Sequence, residues 1–370
     1  MVYLDNAATT KVAPEVFKAM EPYFQTEYGN PDSKYYSLAE NAKWAIQNSR
    51  NQIAELLRIS PGEVIFNSGA TEGNNTVLKG VVKMLKSKGN HIISTNVEHS
   101  SVNETLKYLE TEGIEVTYLK VNNKCEINLD ELKQAIKPTT ILVSIMWVNN
   151  EVGAIFPIKE ISEVCLEKKI LFHTDATQAI GKLDVDLSSI PGINFLTISA
   201  HKIYGPKGIG ALIIRKDKQG LLIRLPSLIH GGEQESGFRS GTSNVPGIVG
   251  FGEACRLLMF KESYEEYLEK LENRLLEILM SKYSQYIEIN NNINRVKGIL
   301  SIRFKGVNNQ VLLKNSIEIL NASTGSACSN SKPSRTLLAM GFSINHVSES
   351  IRISISPNVK IDELDRLKNL

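Results

Sequence analysis

The chain has 370 residues, and its 42 Lys and Arg against 40 Asp and Glu leave a formal net charge of +2 at pH 7. That balance requires neither nucleic acid nor a membrane as a direct partner, and the apolar runs are far too short to span a bilayer. Four unpatterned cysteines make no disulfide framework, no Cys-x-x-Cys pair points to zinc, and no charged-then-apolar leader opens the chain, so a cytoplasmic enzyme is expected.

Apolar runs alternate with helical patterns, the signature of an α/β fold with a large, mainly parallel sheet covered by helices. The run Val64-Ile65-Phe66-Asn67 passes through Ser68-Gly69 into a helical pattern ending near Leu85. Free backbone N–H groups at that helix start, next to Ala70 and the Thr71 hydroxyl, predict an anion cradle. A plain N-cap by Ser68 or Thr71 would explain the small polar residues but not their company. His91-Ile92-Ile93-Ser94-Thr95 reads as the next strand, and His99 follows it. An imidazole at a strand end can stack on a flat ring and shuttle protons near neutral pH, although a single histidine is more often structural. Ile141-Leu142-Val143-Ser144 repeats the pattern and leads to Asn149-Asn150-Glu151.

Leu171-Phe172-His173-Thr174-Asp175 is a short buried strand ending in a carboxylate, with Gln178 three residues on. Asp175 alone is as readily an N-cap. The apolar run over 193–198 then delivers Ser199, His201 and Lys202 before Gly205-Pro206 stops the chain. Hydroxyl, imidazole and amine side by side suit a cofactor with both a phosphate and an aldehyde, which is pyridoxal phosphate. Lys202 would form the Schiff base. Asp175 would pair with the pyridinium nitrogen and keep the ring an electron sink, and Gln178 would reach the phenolic oxygen. Polar groups at successive strand ends agree with ligand binding beyond the carboxyl ends of an open α/β sheet.

Helical patterns hold Cys165 and Cys255, which read as core residues, while Cys125 lies in a polar turn with no evident task. The large cofactor domain is expected over about residues 12–258. A smaller α+β domain comprises about residues 259–370, with the helical stretch 264–279 and strand patterns at 298–304 and 351–355, joined by 1–11.

Motifs spread over almost the whole chain resemble, in order, those of the cysteine desulfurases, pyridoxal-phosphate enzymes of the class V aminotransferase group. They are Tyr3-Leu4-Asp5-Asn6-Ala7-Ala8-Thr9-Thr10, Gly29-Asn30-Pro31-Asp32-Ser33, Arg239-Ser240-Gly241-Thr242 and Gly325-Ser326-Ala327-Cys328-Ser329, besides the segments above. The resemblance implies Lys202 as the Schiff-base lysine, Asp175 and Gln178 on the ring, and His99 as the stacked acid/base. Thr71, Ser199 and His201 would hold the phosphate, with Thr242 reaching in from the second subunit of a homodimer. Asn150 and Arg352 match substrate-binding positions, and the guanidinium fork suits the α-carboxylate of L-cysteine. Cys328, as a thiolate, would take the substrate sulfur as a persulfide, release alanine and hand the sulfur to an acceptor protein. Iron–sulfur assembly, tRNA thiolation and DNA phosphorothioation are the acceptor pathways in view, and the persulfide requires a reducing compartment. A class V aminotransferase would share every cofactor residue, a selenocysteine lyase would act on the same bond, and an assembly component would mainly dock the acceptor.

The chain departs from that pattern in places. Only Ser329, Asn330, Ser331 and Lys332 separate Cys328 from Pro333, about two residues fewer than in many housekeeping members. The lost reach is roughly 7 Å, so Cys328 is expected to stand away from Lys202 until a neighbouring segment yields or a partner draws the loop inward. The amphipathic pattern over 361–367 runs to Leu370, where relatives complete a helix and a tail, and Tyr35 and Tyr36 stand near the place of a family histidine.

Overall fold

The computed structural model describes residues 1–217, 219–260, 264–291, 293–325 and 333–369. Its strands in chain order are β1 Val2–Tyr3, β2 Val64–Asn67, β3 His91–Thr95, β4 Glu115–Leu119, β5 Thr140–Ser144, β6 Leu171–Asp175 and β7 Phe195–Ser199. They continue with β8 Gly210–Ile214, β9 Ile287–Ile289, β10 Ile299–Phe304, β11 Leu320–Asn321 and β12 Ser350–Ser354.

A seven-stranded sheet in the order β2-β8-β7-β6-β5-β3-β4 forms the centre. Neighbours from β7 to β4 are parallel, whereas β8 runs antiparallel to both β7 and β2. The mainly parallel, helix-covered sheet is therefore as expected. β8 is passed over in the sequence reading because an apolar run buried on both faces carries no mark of its direction.

Side chains alternate between two cores, as the period of a strand dictates. Phe66, Ile93, Val143, Phe172, Leu196 and Ile213 face one core, where Ser37–Leu57, Ile158–Lys168 and Val245–Met259 pack. Ile65, Ile92, Leu142, Phe195, Leu212 and Ile214 face the other, beneath the helices Ala70–Leu85 and Ser100–Thr111. A third core of Val2, Leu4, Leu271, Leu275, Ile302, Ile351 and Ile353 surrounds the antiparallel sheet β12-β10-β9. Leu337, Met340 and Val347 lie late in the chain but pack into the first core. Among the described residues no helix is long and apolar enough to cross a membrane.

Because β2, β3, β5, β6 and β7 point the same way, their connections all leave from one edge. The helix Ala70–Leu85 must come close to β7 to bring its N-terminus there. At Gly73 a Cβ would stand 2.7 Å from Thr197 Cγ2 and 3.1 Å from Asn67 Nδ2. Alanine at that position would gain about 1 kcal/mol of helix propensity but cost about 1–3 kcal/mol through overpacking. Gly73→Ala is therefore expected to lower the melting temperature by a few degrees in a circular-dichroism melt. An unchanged or higher value would show that the helix yields freely.

Candidate active site

The connections from that edge converge on a cavity of about 440 Å³. After β7 the chain turns once through Ala200–Lys202, and Lys202 Nζ donates to the carbonyls of Ala7 at 2.8 Å and Ala8 at 2.6 Å. β6 ends in Asp175, which is 6% exposed. Its Oδ1 accepts from the Thr177 N–H at 3.0 Å, and its Oδ2 accepts from Asn74 Nδ2 at 2.8 Å. Asp175 thus closes its own turn and still presents a carboxylate. Gln178 Nε2 donates to the same Ala7 carbonyl at 2.9 Å.

After β2, Gly69 takes φ +140°, a conformation open to glycine, and a Cβ there would meet Ser199 Oγ at 3.5 Å. The helix Ala70–Leu85 begins with no side-chain cap, so the N-cap alternative for Ser68 and Thr71 does not hold. Its first N–H groups remain for an anion. Glu72 turns away to accept from the Ser68 N–H at 2.9 Å and to pair with Arg239 Nε at 3.0 Å.

After β3, His99 caps the helix Ser100–Thr111. Its Nδ1 accepts from the Ser101 N–H at 3.2 Å and lies 2.9 Å from Ser101 Oγ. After β5, the Asn150 carbonyl accepts from Arg352 Nη1 at 2.9 Å. Arg352, on β12 and 2% exposed, also pairs through Nη2 with Asp5 Oδ1 at 2.7 Å.

Burial governs the charge states. It pushes His99 below the ordinary imidazole value, with Asp175 opposing. Burial and the adjacent Lys202 and Lys207 bring His201 down to about 4, so both rings are neutral at pH 7. His201 Nδ1 lies 3.2 Å from Thr9 Oγ1, which leaves Nε2 to serve an anion. Buried Glu98 is raised to about 8 despite hydrogen bonds from the Met146 N–H and Thr95.

Pyridoxal phosphate fits these residues. An uncapped helix start suits its phosphate, a carboxylate its ring nitrogen, and a partly buried amine its aldehyde. The buried atoms Thr177 Oγ1, Gln178 Oε1 and Arg352 Nε have no hydrogen-bond partner, a cost that a polar ligand would relieve.

Ala70, Thr71, His99, Asn150, Asp175, Gln178, Ser199, His201, Lys202 and Arg352 are all brought round the one cavity. Thr242 is exposed and lines an adjoining pocket that shares Ser68 and Gly208 with it. Cys328 and its short loop lie outside the described residues. The remaining cysteines are buried thiols, with Cys165 pushed up to about 12. Cys125, in its polar turn, is buried, 1% exposed.

Sequence reasoning missed Asp5, Asn74, Ser101 and Glu151 as parts of this arrangement. A buried arginine such as Arg352 demands a carboxylate, but nothing in the spacing points to residue 5. Asn74 lies one helical turn beyond Thr71, a signal available from the period alone. Glu151 accepts from Ser334 Oγ at 2.5 Å and Thr336 Oγ1 at 3.1 Å, which fixes the start of the helix Arg335–Ala339.

Glu98 makes a pH test possible. Its pKa is raised on folding from the ordinary 4.5 to about 8, so the folded state keeps a proton that the unfolded state loses. Stability from this group therefore falls as pH climbs through that window. In thermal melts, the melting temperature of Glu98→Gln minus that of the parent should rise between about pH 5 and pH 8. A flat difference would mean that Glu98 titrates as an ordinary carboxyl.

Residues 2–367 match the family described as aminotransferase class-V. The chain is 42% identical over 372 residues to the mitochondrial cysteine desulfurase of Arabidopsis thaliana, covering 100% of this chain and 81% of that protein. It is 41% identical over 372 residues to the cysteine desulfurase IscS of Rickettsia typhi, with 100% and 90% covered. A solved NifS-like protein superposes with a TM-score of 0.91 at 35% identity, over 100% of this chain and 97% of that one. A structure described as SspA in complex with cysteine gives 0.85 at 36% identity, over 96% and 99%.

Proposed function

The chain belongs to the aminotransferase class-V family and is a cysteine desulfurase, and we propose that it takes sulfur from L-cysteine onto Cys328 for transfer to an acceptor protein. Pyridoxal phosphate is its cofactor; when bound, it supplies an aldehyde for an amine and a ring that draws electrons from the substrate α-carbon. The observation that carries the reading is the Lys202 amine and the Asp175 carboxylate on one cavity, beside an uncapped helix start. The bound cysteine of the SspA structure supports the same substrate here.

In this reading the first N–H groups of Ala70–Leu85, with Thr71, Ser199 and His201, hold the phosphate. Asp175 would keep the ring nitrogen protonated, Gln178 would serve the phenolic oxygen, and His99 would be the acid/base beside the ring. Arg352, aimed by Asp5 and the Asn150 carbonyl, receives the substrate carboxylate, and its unpartnered Nε is one donor for it. Lys202 Nζ takes the α-proton. The Cys328 thiolate attacks the substrate sulfur, so the C–S bond breaks as the S–S bond forms. The β-carbon left behind gains a proton, with His99 Nε2–H a donor, and Lys202 Nζ returns its proton to the α-carbon. One thiol and one cysteine give one persulfide and one alanine, and no external oxidant enters.

A second copy of the chain would supply Thr242 to the phosphate site, making a homodimer with shared sites. A persulfide carrier works in a reducing compartment, the cytoplasm in this reading, and its acceptor serves iron–sulfur assembly, tRNA thiolation or DNA phosphorothioation.

Product analysis with L-cysteine tests the reaction. Lys202→Ala should keep the cofactor but lose about 10²–10⁴-fold in turnover, as expected when a proton-transfer group is removed. Cys328→Ser should abolish matched formation of alanine and sulfide. An aminotransferase would instead release a keto acid and be indifferent to that change. Asp5→Asn should raise KM for cysteine more than it lowers kcat, because it disturbs the aim of Arg352 rather than the proton transfer. The reverse pattern would remove Asp5 from substrate binding.

A further inference from the structure

A fully buried asparagine joins the two groups assigned to the cofactor ring. Asn74, 0% exposed, donates through Nδ2 to Asp175 Oδ2 at 2.8 Å and to Ser101 Oγ at 2.8 Å. An ionised carboxylate only accepts, so the amide nitrogen must face Asp175, and the amide orientation follows. Ser101 Oγ, having accepted from Asn74, turns its own proton to His99 Nδ1 at 2.9 Å. The Ser101 N–H approaches that same nitrogen at 3.2 Å. Two donors on one lone pair hold Nδ1 unprotonated, so the proton of the neutral ring lies on Nε2.

We propose that Asn74 and Ser101 are positioning residues that bind Asp175 and His99 into one hydrogen-bonded unit, in which His99 faces the cavity as an Nε2–H donor. The inference rests on the reading of Asp175 and His99 given above, and it adds residues to that reaction that no motif assigns. It also determines what His99 does: a ring whose Nδ1 lone pair is occupied gives a proton from Nε2 rather than collecting one at Nδ1. The helix packing serves the same end. Asp175 and Thr197 lie on the sheet face beneath Ala70–Leu85, and Gly73 lets that helix settle close enough for Asn74 to reach between β6 and the helix Ser100–Thr111.

The charged and titratable groups around His99 are Asp175 of β6, Lys202 and His201 after β7, Arg335 of the helix Arg335–Ala339, and Glu151 after β5. None of them is altered by a change at Ser101, so that position isolates the relay.

The test uses holoenzyme labelled with ¹⁵N-histidine. The chain has six histidines, and His99 is assigned from the signal missing in His99→Gln. The parent should show a neutral His99 with its proton on Nε2. Ser101→Ala removes a donor that favours the neutral ring, so the proton affinity of His99 should rise about three- to tenfold, whereas Ser101→Thr should stay close to the parent. Asn74→Ala should shift His99 more in the parent background than in Ser101→Ala, since the part of the effect that passes through the hydroxyl is lost there. A proton found on Nδ1, or identical titrations in the parent, Ser101→Ala and Ser101→Thr, would overturn the proposal, and the serine pair decides it even if Asn74→Ala does not fold. Removing the cofactor tests the other reading separately. A His99 signal indifferent to the cofactor would sink the stacked-ring assignment while leaving the relay measurable.

Discussion

The carbonyl of Ala7 accepts from Lys202 Nζ at 2.8 Å and from Gln178 Nε2 at 2.9 Å, and the site depends on the short segment that holds this one oxygen in place. Leu4 is buried in the small core and Ala7 in the large one. Between them Asp5 pairs with Arg352, and beyond them Thr10 bonds to the His201 carbonyl and the Tyr204 N–H. A few residues of irregular chain thus join the strand that carries the carboxylate receptor to the turn that carries the amine. Neither sheet could set the distance between those groups without this tie.

The electrostatics follow from the same crowding. Arg352 is paired by Asp5, Glu72 by Arg239, and the half-buried Glu235 by Arg50 at 2.7 Å. Groups without such partners change protonation state instead: His99 and His201 are neutral, and Glu98 keeps its proton to about pH 8. Asp175 accepts hydrogen bonds from Asn74 Nδ2 and the Thr177 N–H. A ring nitrogen bound there meets an anion whose field is little screened by water.

Much of this was legible in the sequence, for identifiable reasons. β2, β3, β6 and β7 and the helix beginning at Ala70 follow from apolar runs that end in glycine or polar residues; Asp175 ends one of them, His99 and Lys202 follow two others, and Arg352 lies within the strand β12. What was not legible depends on direction or distance. β8 is as apolar as its parallel neighbours, so its reversal is invisible in its composition. β4 is only partly buried and has no strong alternation to announce it. Asp5 and Ser101 are ordinary in their local sequence and acquire meaning only through partners across the fold, while the helical period places Asn74 on the face of Thr71 but does not name its partners. The Cys328 segment lies outside the described residues, so the expected effect of its shortness stands as a proposal about reach.

The long separations in this site also set an order of events in synthesis. Asp5 and Arg352 are 347 residues apart, and Ala7 and Lys202 are 195 apart. The parallel sheet can be finished once β8 has emerged, but the carboxylate receptor cannot exist until β12 has been made and has captured a segment synthesised 347 residues earlier. Closing such loops is slow compared with forming the helices. The growing chain therefore passes through a stage with a nearly complete cofactor floor and no substrate lid, with the apolar residues of the small core still unburied. A chaperone would meet that species, and catalysis would begin only with the last contact to form.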